Sequence, residues 1–297
     1  EQRVWRLFPG AGYRFLSNFK ENDIGYLDFP GVKIPPGDLD KSNSLIPLIA
    51  MSDAVRTAFF AHEVDSAIKF DIVDFESARK TKNRGRLRQA LVNFYQHAKP
   101  GDIVILPETL SRKTVWIGEF SNSDIIYSQY HERSEALHVP CRKIKWIKEV
   151  RENLLSTKLS DALRHQHAFS LIERDRYLEV MSLAYDSFIY NERNVATIFN
   201  GEEFLDEDSA LISCLSRISA AFCKADDDGI KKDDYELFDI IFGTTDIAYS
   251  CDQESDIHSE GFTRLIGGSI VPVVTTALLA AYMMISKAPN DVEAREM

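Results

Sequence analysis

Arg142-Lys-Ile-Lys-Trp-Ile-Lys148 alternates with a period of two, so that Lys143 and Lys145 leave one face of an extended chain while Ile144 and Trp146 leave the other. A strand with one wet and one dry face belongs to a sheet covered on a single side. The same reading extends upstream. Val115–Phe120 is another strand, and Ile103–Leu106 is a short apolar run typical of a buried strand, entered through the turn Lys99-Pro-Gly-Asp102. Residues 3–8 alternate and stop at Pro9-Gly10, and Ile24–Phe29 is closed by Pro30-Gly31. Helices fall between these strands. One is expected over 14–22, one from an N-cap at Ser52 to about Lys69, and one over Leu87–His97 with Leu87, Leu91, Phe94 and Tyr95 as its apolar stripe. Downstream, a short helix over Ser156–Leu163 precedes a closing strand over Ala168–Ile172. The class is α+β, with a small curved or barrel-like sheet.

The chain has 297 residues, 44% hydrophobic and 27% charged, which excludes disorder, collagen-like repeats and a disulfide scaffold and is long enough for two domains. Cys141, Cys214, Cys223 and Cys251 form no CxxC pair, so neither a zinc knuckle nor a redox motif is written here, and a reducing cytoplasm is expected. Residues 1–176 carry 27 Lys+Arg against 23 Asp+Glu, whereas 177–297 carry 8 against 23. Halves of opposite sign point to two modules with different partners, because net charge governs long-range attraction. The division is placed at 176/177. A nucleic-acid partner belongs to the first half, since the second repels phosphate.

In the second module a helix from Tyr177 to about Asp186 precedes a hairpin in which Ser187–Tyr190 and Val195–Phe199 flank the turn Asn191-Glu-Arg-Asn194. Further helices are expected from Asp206 or Asp208 to about Lys224 and over roughly Lys232–Ile241, giving a mostly helical, acidic α+β module. Residues 265–286 hold no charge over 22 positions, enough for a helix that spans a membrane or is buried in its own domain or at a subunit contact. The first alternative implies contact with the inner membrane, the second a homo-oligomer or a partner protein.

Across residues 1–175 the order of short pieces resembles the PUA/EVE-like recognition domain that precedes Mrr-type modification-dependent restriction nucleases and related bacterial defence proteins. The pieces are Val4-Trp5-Arg6, Phe19-x-x-Asn22-x-Ile24-Gly25, Pro100–Ile105, Ile117–Phe120, Tyr130-His-Glu-Arg133 and Arg142–Trp146. The resemblance implies binding of nucleic acid, DNA rather than RNA, with a modified or extruded base held in a pocket. Such a pocket needs flat aromatic walls, each stacked base being worth roughly 1–3 kcal/mol, and a few polar groups that read the base edge. Trp5, Tyr13, Phe15, Trp116, Tyr127 and Tyr130 are the candidate walls. Cations for the phosphates come from Arg79, Lys80, Lys82, Arg84, Arg86 and Arg88, a run without an acid, and from Lys143 and Lys145.

The resembling nucleases work through an (Asp/Glu)-x-Lys signature, and here none of the sixteen lysines has an acid two positions earlier. No P-loop and no Gly-x-Ser-x-Gly elbow is present. Aligned as an EF-hand on Gly229, Asp226–Gly229 puts Lys224 and Tyr235 where carboxylates are required. His165-x-His167 lacks a third ligand at a recognisable spacing. No catalytic residue, metal or cofactor is therefore assigned. The expectation is a non-enzymatic sensor of nucleic acid in anti-phage defence, coupled to a hydrophobic effector or anchor helix. Its rivals are a soluble, non-nucleolytic interaction subunit and a divergent nuclease built on the acids of 202–208 and 226–236.

Overall fold

The computed structural model describes residues 2–61, 70–108, 114–131, 134–164, 167–199, 252–256 and 262–267. The chain divides into two compact units, Glu1–Tyr177 and Leu178–Met297. The front unit is mixed α+β around a seven-stranded sheet that curls into a half-barrel. Its strands are β1 (Val4–Leu7), β2 (Ile24–Gly25), β3 (Ile103–Pro107), β4 (Thr114–Phe120), β5 (Ile126–His131), β6 (Ser134–Arg151) and β7 (Phe169–Leu171). The order is β2-β6-β4-β3-β1-β7, with β5 attached to β6; β1 and β3 run parallel, and the remaining pairs are antiparallel.

The opening heptapeptide lies inside β6, an 18-residue strand that pairs with β2, β4 and β5. Lys143 and Lys145 are exposed and Ile144 is buried, as the alternation requires. Where β4 meets β6 the register shifts between Ile117 and Gly118. A Cβ at Gly118 would stand 2.8 Å from both Ile144 and Trp146 and 2.9 Å from the Lys145 carbonyl, so only glycine fits this bulge.

Helices cover one face of the sheet: α1 (Leu16–Asn22), α2 (Leu45–Phe60) and α3 (Lys82–Val92), the last running on into a π turn at Asn93–His97; α4 (Thr157–Arg164) follows β6. Trp5, Leu7, Val104 and Leu106 of the sheet join Phe19, Leu45, Ile49, Leu91 and Phe94 of the helical layer in one core. Each such side chain stabilises by about 1.5–3 kcal/mol relative to exposure.

Two helix starts differ from expectation. Ser52 lies within α2, not at its cap, and its buried hydroxyl donates to the Pro30 carbonyl at 3.0 Å; α2 starts earlier, after Ser44, with Pro47 in the first turn where its missing N–H costs nothing. α3 begins at Lys82, so four of the six cations of the 79–88 run lie on the helix rather than in a preceding loop, and the Thr81 hydroxyl caps it by accepting the Arg84 N–H at 3.2 Å. Ile24–Phe29 is a strand only over its first two residues, and β5 was not expected at all.

The described part of the second unit is α5 (Tyr177–Ala184), whose first residue belongs to the front unit, and an antiparallel sheet of order β10-β11-β9-β8. Its strands are β8 (Ser187–Tyr190), β9 (Arg193–Phe199), β10 (Asp252–Asp256) and β11 (Phe262–Gly267). The hairpin turn is tighter than expected, since Tyr190 pairs with Arg193 and only Asn191 and Glu192 lie between, both left-handed at φ 49° and 64°. Glycine adopts this conformation more readily than glutamate. Glu192→Gly is therefore expected to stabilise the hairpin unit by about 1 kcal/mol, read as a rise in its unfolding midpoint in urea.

The hydrophobic segment requires a correction. Leu265, Ile266 and Gly267 are not helical but form the end of β11, paired with Ala196, Val195 and Asn194 of β9. Leu265 and Ile266 are buried in that sheet, so their apolar character serves a strand. Residues 268–286 and the helices expected over 206–224 and 232–241 lie outside the described residues. Among the described residues no helix is long and apolar enough to cross a membrane.

Candidate nucleic-acid interface

Two clefts on the front unit are lined by described residues. The first, about 710 Å³, lies between α1, the end of α2 and β5. Four rings line it: Phe15, Tyr26, Phe60 and Tyr130. Asn18, Asn22 and Gln129 add amides, and Arg14 and Glu21 add charge. The helix wall is held from behind, because Trp146 donates its indole N–H to the Phe19 carbonyl at 2.9 Å. α1 stops at Asp23, whose left-handed backbone returns its N–H to the same carbonyl.

The rings brace one another. Tyr26 sits 4.9 Å from Phe15 and 4.6 Å from Phe19, and Tyr130 sits 5.7 Å from Phe15 and 5.6 Å from Phe59. Asp28 is the electrostatic centre behind them. Its carboxylate accepts the Tyr130 hydroxyl at 2.7 Å and pairs with Arg14 and, at 3.3 Å, with Arg56, which also reaches Asp53 at 2.6 Å. Burial, with Asp28 adding to it, pushes the Tyr26 and Tyr130 phenols up, so both are neutral donors. Tyr130 has spent its proton on Asp28. The Tyr26 hydroxyl is buried without a partner among the described residues, an arrangement that costs about 1–3 kcal/mol and leaves a donor for a ligand.

The second cleft, about 550 Å³, runs between α3 and β7 and is lined by Asn83, Arg86, Gln89, Asn93 and His167 over a floor that includes Leu87 and Phe169. It shares no residue with the first.

The residues expected from the sequence are thus separated. Phe15 and Tyr130 line the first cleft. Lys143 stands at its lip, donating to the Asn22 carbonyl at 3.1 Å, and Lys145 is exposed on the same strand. Tyr127 is exposed nearby, its hydroxyl accepting the Ile34 N–H at 3.3 Å. Tyr13 packs on Phe8 at 5.4 Å and lines neither cleft.

Trp5 is not a ligand wall. Its ring stacks on Phe169 at 4.9 Å and its indole N–H is bound to Asp102 at 2.8 Å, which fixes it in the core. Trp116 also lies outside both clefts, edge-on to Trp146 at 6.4 Å with the Lys20 ammonium 4.1 Å over its ring. Of the basic run, Arg86 enters the second cleft, Arg84 folds back onto the Arg79 carbonyl and Arg88 onto those of Leu39 and Asp40. Arg79, Lys80 and Lys82 are exposed. The expected single cleft, ringed and cationic together, is two.

Arg14, Asn18, Glu21, Asn22, Tyr26, Phe60, Gln129 and His131 were not anticipated. They come from three segments with no common spacing, and the nearest signal was the polar Ser128-Gln129 pair between two tyrosines. Among the described residues no group of three His, Cys, Asp or Glu side chains is placed to hold a metal ion. The acids of 202–208 and 226–236 lie outside the described residues. Comparison with protein-family models, curated proteins and solved structures finds no match.

Proposed function

We propose that the front unit binds a nucleic-acid strand and takes one base, extruded from its stack, into the cleft between α1, α2 and β5. The observation that carries this reading is the combination of four rings with an unpaired buried hydroxyl in one cavity. Stacking surfaces supply sequence-tolerant affinity, and the Tyr26 donor with the Asn18, Asn22 and Gln129 amides supplies edge recognition. Lys143 and Lys145 give phosphates a place beside the mouth, and the α3 cations give a second contact surface further along the unit. The resemblance to PUA/EVE-like domains supports the same activity. With an acidic second unit that disfavours phosphate, such a chain works as a sensor of modified DNA, and its place in anti-phage defence follows from that resemblance.

The test uses the full chain and fluorescently labelled oligonucleotides, single-stranded and duplex, with and without a modified base. Phe60 is half exposed, so Phe60→Ala removes a wall without opening the core. Loss of one stacking partner, about 1–3 kcal/mol, is expected to weaken binding roughly tenfold or more while the melting temperature stays unchanged. Equal affinity for wild type and variant, or no retention of any oligonucleotide, overturns the proposal.

A further inference from the structure

The stacking position of the first cleft is already filled. The Arg14 guanidinium lies 4.8 Å from the Phe15 centroid and 4.8 Å from the Phe60 centroid, a flat cation held by two rings, with Asp28 as its counter-ion. This is the geometry that a bound planar ligand takes in an aromatic slot, here supplied by the protein itself. Arg14 keeps partial access to water, with 28% of its side chain exposed, so it is not locked in place as a core residue is.

What displaces it must satisfy what it leaves. Withdrawal of Arg14 leaves Asp28 with only Arg56, which Asp53 also shares, while Glu21, at the cleft wall, has no partner among the described residues. A neutral base replaces the stacking but abandons the carboxylates. A base bearing a positive charge replaces both, because the faces of Phe15 and Phe60 attract cations and desolvation strengthens that attraction.

We propose that this slot selects a positively charged, ring-alkylated base, such as a 1-methyladenine or a 3-methylcytosine, with Arg14 withdrawing as the base enters. The inference rests on the base-binding reading above and narrows it to one class of modification.

The probes are 1-methyladenosine monophosphate and its N6-methyl isomer, which differ in charge at near-neutral pH while sharing the same atoms apart from one proton. Binding is read by quenching of intrinsic fluorescence on the full chain. The cationic isomer is expected to bind at least about tenfold tighter, the scale of a desolvated cation–π contact. Arg14→Ala, which empties the slot, is expected to raise affinity for the cationic isomer several-fold, and Asp28→Asn to reduce the preference to what the two rings alone supply. Because Asp28 also holds Tyr130, Glu21→Gln serves as the second variant, on an exposed side chain, and is expected to reduce the preference in part. Equal binding of the two isomers, or binding of neither, overturns this inference. If oligonucleotides are nevertheless bound and released by Phe60→Ala, only the charge selectivity is lost; if no oligonucleotide is retained while the cationic isomer binds, the nucleic-acid reading falls and the cation slot stands.

Discussion

Arg142→Leu is expected to destabilise the front unit by about 4 kcal/mol, on the scale of 1–3 kcal/mol for each buried polar group left unpaired. The guanidinium is fully buried and serves three carbonyls, those of Phe94 at 2.7 Å, Ala98 at 2.8 Å and Asn122 at 2.6 Å, while resting 4.3 Å over the Phe120 ring. Phe94 and Ala98 belong to the π turn that ends α3 and the residue after it, where carbonyls lack intrahelical donors and the dipole favours a cation. Arg142 thus ties the end of a helix to the middle of β6. Burial lowers its pKa to about 10, still well above neutral, so the charge persists. Leucine fills part of the volume but leaves the acceptors unmet, and a drop of roughly 10 °C in melting temperature is expected for a unit of this size. Arg142→Lys is expected to fall between the two, because one ammonium cannot reach all three oxygens. A loss below about 1 kcal/mol for the leucine variant contradicts this account.

Asp102→Ala carries the second large effect, about 3 kcal/mol, from losing a buried acceptor that serves three donors. Its carboxylate takes the Trp5 indole N–H at 2.8 Å, the Lys99 N–H at 2.9 Å and the Arg3 N–H at 3.0 Å, joining β1 to the turn before β3. Asp102→Asn keeps an acceptor oxygen and is expected to cost less. Trp5→Phe, which retains most of the apolar volume and leaves the carboxylate two donors, is expected to cost about 1–2 kcal/mol. Urea denaturation orders the three variants. The same Trp5→Phe protein is expected to bind oligonucleotides like wild type, and weakened binding at retained stability would return Trp5 to the interface.

The contrast between Trp5 and Tyr130 marks how far sequence reasoning reached. Alternation is a local property, so β6 was legible from Lys143 and Lys145 facing out around Ile144, and the hairpin from the polar residues around Asn191. Burial of a particular ring depends on what comes to lie across it. Trp5 meets Phe169 and Asp102, each about a hundred residues or more away, and nothing within the pentapeptide around it announces them. Tyr127 and Tyr130 stand on a strand whose period sends them to opposite sides, one exposed and one buried, a distinction hidden as long as no strand is expected there. The alternation sets Arg142 on the face of Ile144 and Trp146, but charge alone does not reveal the carbonyl-lined cavity that it fills. The cleft itself gathers residues between Arg14 and His131 from two helices and a strand, and only the fold brings them together.

The two walls of that cleft are anchored unequally. β5 is joined to the sheet along a single seam, its ladder with β6, and no other described strand borders it, whereas α1 is clasped by Trp146 and by the turn at Asp23. Compliance is therefore one-sided. A guest that pushes the strand carrying Gln129 and Tyr130 outward must also part Tyr130 from Asp28, Phe15 and Phe59, so a single phenol is the latch of the yielding wall.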